Sequence, residues 1–226
     1  MIVAIDGPAG AGKSTVAREV ARRLGAAYLD TGAMYRALAW LALERGIAPS
    51  DGQALAALAR DNPIEIEPTD DGDRVRVDGR DVTAEIRDPD VAAEVSEVSA
   101  HAGVREEMVM AQRALMSRGD WVSDGRDVGS TVRPDADLKV FLTATPVERA
   151  RRRRAELAAR GVELDEERVL EDVRRRDAAD SSRAASPLRV APGAIVIDSS
   201  GLDADEVTDR IMRLIAERAG AARDPA

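Results

Sequence analysis

The chain has 226 residues, with 33 Lys or Arg against 42 Asp or Glu, no cysteine and one histidine, His101. A net charge of −9 argues against a general binder of nucleic acid or anionic membrane, whose footprint is basic. The composition also leaves no disulfide framework or thiolate chemistry, no histidine cluster for a metal, and too few aromatics (Trp40, Trp121, Tyr28, Tyr35, Phe141) for a base-stacking platform. The opening apolar run lacks the charged start and the length of a signal peptide or membrane span, so a cytoplasmic chain is expected. Its length suits a single domain, 1–226, with excursions, and no obligate partner is indicated, so the expected state is a monomer.

Residues 2–5 read as a buried strand. Gly7-Pro8-Ala9-Gly10-Ala11-Gly12-Lys13-Ser14-Thr15 follows directly and fits the spacing Gly-x4-Gly-Lys-Ser/Thr. A Gly-rich turn between a strand and a helix aims successive amides at one point, which then binds phosphate. Lys13 can reach terminal phosphates and the Ser14 hydroxyl can ligate Mg²⁺. Only Lys13 and Lys139 are lysines in this Arg-rich chain, which sharpens the match.

The helix 13–24 closes at Gly25, and the short apolar Tyr28-Leu29 ends in Asp30-Thr31-Gly32, which leads into a helical pattern from Ala33 to Glu44. A modest helix, Asp51 to Ala59, follows. Ile64, Ile66, Val75 and Val77, bracketed by Asp70–Asp73 and Asp78-Gly79, predict a small antiparallel excursion. Asp88 to Ser117 is helical with a break near His101 to Gly103. Trp121 to Ser123 and Leu138 to Leu142 are further strands, and between them Asp124-Gly125-Arg126-Asp127 is a charged, glycine-bearing turn, costly to place for packing alone. Two highly charged helices, from Pro146 to near Gly161 and from Leu164 to Ala178, precede a last strand (Ala194 to Ile197), a closing helix (Asp203 to Ala219) and a frayed tail from Gly220. Strands alternating with helices imply a parallel sheet, with ligands beyond the carboxyl ends where Asp6, Asp30 and Asp124 fall.

Four clusters accompany the loop: Asp30-Thr31 with Arg36, Ser96 with Arg105, Arg126 between Asp124 and Asp127, and Arg176, Asp180 and Arg183, which share a face if their helix persists. The run Arg149 to Arg154 reads equally well as a wet helix face or as a source of phosphate-facing cations, and His101 reads as structural.

These residues carry a resemblance. Ile5-Asp6-Gly7-Pro8 with its loop, Leu29 to Arg36, Asp124 to Asp127 and Arg175 to Leu188, in this order, are similar to the bacterial cytidylate kinase family over nearly the whole chain, Ile2 to about Leu214. Val128, Ser130 and Ala102-Gly103 depart from the usual pattern. The resemblance implies an α/β P-loop nucleoside-monophosphate kinase fold: a five-stranded parallel sheet, an acceptor-binding insert near 60–90 and a mobile helical lid near 148–180. It implies Mg-dependent, in-line transfer from ATP to CMP or dCMP. The loop Gly7 to Thr15 corresponds to the ATP site. Thr31, Ser96, Arg105, Asp127 and Arg183 correspond to contacts with the acceptor nucleotide, Arg36 and Arg126 to its phosphate, and Arg176 and Asp180 to its ribose region; Lys13, Arg126, Asp127 and Arg176 are the expected catalytic set. A UMP or small-acid kinase and a nucleotide-dependent switch are the competing readings, the latter disfavoured because the one asparagine, Asn62, precedes proline.

Overall fold

The computed structural model describes residues 1–69, 72–159, 161–183 and 185–221. From the amino end, β1 (Ile2–Asp6) turns into α1 (Lys13–Leu24), followed by β2 (Ala27–Asp30). Next come α2 (Thr31–Glu44), α3 (Gly52–Asp61), β3 (Ile64–Thr69), β4 (Gly72–Val77), β5 (Arg80–Asp81), a 3₁₀ turn at Glu85–Arg87, α4 (Pro89–Val98) and α5 (Ala102–Leu115). The chain continues through β6 (Trp121–Gly125), a π-helical turn at Val128–Val132, β7 (Leu138–Thr143), α6 (Pro146–Ala158), α7 (Glu166–Ser182), β8 (Ile195–Asp198) and α8 (Ala204–Ala221). It divides into two compact units. Unit 1 holds Met1–Tyr28, Asp120–Ser182 and the chain from Leu188 onward; unit 2 holds Leu29–Gly119 and Arg183–Pro187.

The five-stranded sheet runs β2-β6-β1-β7-β8, all but the second half of β2 within unit 1, and β1 pairs in parallel with both β6 and β7. β1 is buried at every residue, as its unbroken apolar run requires of a strand covered on both faces. The strand order reverses around β1. The crevice that such a reversal opens at the carboxyl edge is where an α/β sheet receives a ligand, and Gly7 begins there. Val16 and Val20 of α1 and Val207, Ile211 and Ile215 of α8 pack with Ile5, Val140 and Leu142 of the sheet in one apolar core. α6 and α7 share only a thin seam, Ala150, Val169 and Val173 with Leu157, Leu164 and Leu170 at its edges.

In unit 2, α2 packs on α4 and α3 on α5, and β3-β4-β5 form the antiparallel excursion expected from the alternating Ile and Val residues. Trp40 is buried on α2 with the Arg80 guanidinium 4.8 Å from its ring centroid; the second tryptophan, half-buried Trp121, opens β6 in unit 1.

Several boundaries differ from expectation. α2 begins at Thr31 instead of Ala33, because the Asp30 carboxylate caps the helix by accepting from the Ala33 amide at 3.0 Å. α7 extends to Ser182, so Arg183 lies just past its end, and α8 takes in Gly220 and Ala221. The remainder of the expected tail, 222–226, and positions 70 and 71 of the Asp70–Asp73 turn lie outside the described residues. The π-helical turn after β6 has no sequence signature of its own.

Candidate active site

Unit 1 contains the phosphate cradle. At Gly7 φ is 151°, and a Cβ there would sit 1.9 Å from the Leu142 carbonyl oxygen, so β7 approaches too closely for any side chain. Gly12 (φ 87°) stands left-handed at the start of α1, whose first amides receive no side-chain cap. Uncapped amides at a helix start, with the positive end of the macrodipole behind them, form an anion site. Buried Lys13 donates from Nζ to the Pro8 carbonyl at 2.8 Å, which ties the lysine to the loop it serves.

The Ser14 hydroxyl donates to Asp124 Oδ2 at 2.9 Å, and Tyr28 donates to Oδ1 at 2.6 Å. Among the described residues there is no group of three or more His, Cys, Asp or Glu side chains able to hold a metal ion. A single hydroxyl–carboxylate pair fits Mg²⁺, which keeps several waters and takes its remaining ligands from phosphate oxygens. Asp6 ends β1 beside this pair's strand, almost wholly buried. Its two oxygens accept from the Val128 amide at 2.8 Å and the Gly129 amide at 2.7 Å. Burial pushes its carboxyl up to about 6, against the pull of those two amides.

Beyond β6, Arg126 is ion-paired with Asp180 of α7 at 2.7 Å, and Arg176 lies one helical turn from Asp180. Burial first, then the charge of Arg153, pushes the Arg176 guanidinium below its ordinary pKa, and Arg126 and Arg175 add to this. Like charges crowded in this way are relieved by a polyanion. The Arg149 to Arg154 run is therefore not a uniform wet face. Arg149 is buried and donates to the carbonyls of Ala144 (3.0 Å) and Ala9 (3.1 Å). Arg152 donates to Ser199 Oγ at 3.0 Å and to the Ser199 carbonyl at 2.7 Å. Arg151 and Arg154 pair outward with Glu148 and Glu166. Thus Arg149 and Arg152 support the loop region, and Arg153 is the member of the run whose charge bears on Arg176.

Unit 2 carries the other expected acceptor residues. Thr31 is buried in the first turn of α2, and Arg36 pairs with Asp30 at 2.7 Å. Arg105 is buried: it donates to the Ser99 carbonyl at 3.2 Å and lies 5.3 Å from the Tyr35 ring centroid. Half-buried Ser96 is on α4, which packs on α2. Arg183 follows the last residue of α7, and its Nε donates to the Ser186 carbonyl at 2.6 Å. His101 is structural, held at 2.7 Å to the Pro49 carbonyl. Tyr28 and Asp177 were not expected at the site, and nothing local in the sequence marks them. Asp6 and Asp124 were expected at ligand-facing strand ends, Asp124 also in the cluster around Arg126, and Arg149 within the cation run, but none of the three was given a specific role.

The cytidylate kinase family model matches residues 3–217. The chain belongs to the cytidylate kinase family. It is 52% identical to a cytidylate kinase from Geobacillus kaustophilus over 218 residues, 96% of this chain and 97% of that protein. It is 50% identical to a bifunctional pantoate ligase/cytidylate kinase from Synechococcus sp. CC9902 over 219 residues, 96% of this chain and 45% of that longer protein. A solved structure of an uncharacterized protein from Eubacterium ventriosum aligns with TM-score 0.53 at 14% identity, covering 96% of this chain and 98% of that one, a likeness of fold alone.

Proposed function

We propose that this chain transfers the terminal phosphoryl group of ATP to CMP or dCMP, giving ADP and CDP or dCDP. The observation that carries the phosphoryl-transfer reading is the loop Gly7 to Thr15 with the Ser14–Asp124 pair at its helix end, a cradle suited to a metal-bearing polyphosphate. Membership of the family supports CMP as the acceptor.

Amides of the loop and the Lys13 amine hold the donor's phosphates. Ser14 and Asp124 would hold Mg²⁺, which when bound offsets charge on the donor phosphates. Arg126 and Arg176, with Arg153 near Arg176, supply planar forks that pair with phosphate oxygens and stabilise charge spread over the group in flight. No general base is required, since the acceptor oxygen is already anionic, and this agrees with a histidine-poor chain. Asp127 and Thr31 accept from the cytosine amine, Ser96, Arg105 and Arg183 contact the base, and Arg36 and Asp180 serve its phosphate and ribose. The thinly packed α6–α7 pair acts as a lid that excludes water, the competing acceptor. The chain works as a cytoplasmic monomer, residues 1–226 serving as a single nucleotide-kinase domain.

An acceptor panel with ATP and Mg²⁺ tests this. CMP and dCMP are expected to give stoichiometric ADP, with UMP far slower. A preference for UMP, or ATP consumption independent of acceptor, would overturn the assignment.

A further inference from the structure

We propose that Asp6 is a positioning residue for acceptor-base choice: from the end of β1 it caps the turn that Asp127 opens, and so holds Asp127 in its reading position. The proposal rests on the reading of Asp127 as a contact to the cytosine ring.

The π-helical turn Val128–Val132 starts with amides that have no partner within the turn. Asp127 stands in the capping position, where an Asp ordinarily turns its own carboxylate onto those amides, but it makes no such bond. Asp6 does this instead, one oxygen to each of two successive amides, at 2.8 and 2.7 Å. The Asp127 carbonyl is meanwhile fixed by the amides of Thr131 (2.8 Å) and Val132 (3.2 Å). The peptide joining residues 127 and 128 is thus held at its N–H by Asp6 and at its carbonyl by Thr131 and Val132, which fixes the backbone on the carboxyl side of Asp127.

The approach is close. A Cβ on Gly129 would lie 3.2 Å from Asp6 Oδ2 and 3.3 Å from the Lys139 stem, so the residue under the Asp6 carboxylate has no side chain. Burying a carboxylate is costly unless it is hydrogen-bonded, and here both oxygens are used on one turn. If Asp6 only finished the strand and steadied the phosphate loop that follows, its loss would weaken the donor first. Acting through the turn, its loss weakens acceptor discrimination first.

The test measures ATP and CMP dissociation constants by calorimetry, and kcat/KM for CMP and UMP, in the full chain with Asp6→Asn, Asp127→Asn and both. An amide at position 6 keeps one acceptor oxygen and puts an NH2 against the second N–H, so one of the two bonds is lost. Expected for Asp6→Asn is a fall in CMP-over-UMP preference of about tenfold, the effect of one displaced hydrogen bond, with the ATP constant changed by less than about threefold. The double variant should discriminate no worse than Asp127→Asn alone. Equal weakening of ATP and CMP, or additive losses in the double variant, overturns the positioning role. Absence of a CMP preference in the unsubstituted chain overturns the Asp127 reading itself, an outcome visible before any variant is made. Should Asp6→Asn not fold, amide exchange in the unsubstituted chain decides: Val128 and Gly129 are expected to exchange at least about 100-fold slower than exposed turn amides, and exchange as fast as those turns sinks the cap.

Discussion

Arg149 and Asp177 join α6 to α7 through two hydrogen bonds of 2.9 and 2.5 Å, and the same guanidinium donates to the carbonyl of Ala9 inside the phosphate loop. The pair therefore couples helix packing to the shape of the loop. Arg149 is buried and Asp177 keeps part of its exposure, so removing the carboxylate strands a buried cation. Asp177→Ala is expected to cost about 3 kcal/mol in urea unfolding, the low end for a broken buried pair, and to weaken ATP binding. Loss below about 0.5 kcal/mol, the range of a surface pair, would show that the contact carries nothing.

Gly7 is fixed by the Leu142 carbonyl, which an added Cβ would meet at 1.9 Å. The Leu142 oxygen is backbone of β7 and a Cβ is fixed directly to the backbone that follows β1, so neither atom can swing away. Gly7→Ala should cost more than about 4 kcal/mol or prevent folding, and Gly25→Ala, also left-handed but with nothing within 4 Å, only about 1–2 kcal/mol. Comparable thermal unfolding of the two variants would refute the clash.

How far these features could be read without coordinates varied with their chemistry. Gly7 to Thr15 was readable because spacing and flanking pattern belong to one local device. The parallel order of strands followed from alternation with helices. The arginine run was ambiguous because a helix turns each residue by a different angle: Arg149 and Arg152, three apart, reach the loop region, while Arg151, Arg153 and Arg154 pair with glutamates. Whether Arg183 shares a face with Arg176 and Asp180 was left conditional, because sequence does not say where α7 stops. Asp6 as a cap was invisible, since its partners Val128 and Gly129 are 122 and 123 residues away and use only backbone atoms.

The Asp6 carboxyl also sets a pH dependence. Its ordinary value of 3.8 is raised to about 6 by burial, so between these values the folded chain holds a proton that the unfolded chain releases. Stability from this group therefore falls as pH rises through that window, by up to about 3 kcal/mol at 1.36 kcal/mol per unit. The stability of the parent relative to Asp6→Asn should be greater at pH 4 than at pH 7. Glu19 and Glu148, each lowered to about 2 mainly by Arg22 and Arg151 respectively, act in the opposite sense, their contribution being lost as pH falls. Both remain in the variant and cancel in the comparison. A pH-independent difference would contradict the raised value.

Asp127→Asn replaces an acceptor with a group that also donates. The ratio of kcat/KM for CMP to that for UMP is expected to fall by at least about 10², with the ATP constant little changed. Equal Michaelis constants in variant and parent would remove Asp127 from base choice.

Ser14→Ala deletes one of the two side chains assigned to Mg²⁺. The concentration of Mg²⁺ giving half-maximal rate should rise about tenfold, and chelation of divalent cations should abolish transfer without abolishing CMP binding. An unchanged Mg²⁺ titration in the variant would take the serine out of the metal site.

The two tryptophans are divided one to each unit, Trp40 within α2 and Trp121 at the start of β6. Replacing either with phenylalanine leaves a chain whose tryptophan fluorescence, excited selectively over the two tyrosines, comes from one half only. Followed through denaturant, the two single-emitter proteins give superimposable curves if the halves melt as one body and separated midpoints if they do not. Nature has thereby equipped the molecule with its own pair of optical probes, and no dye needs to be attached.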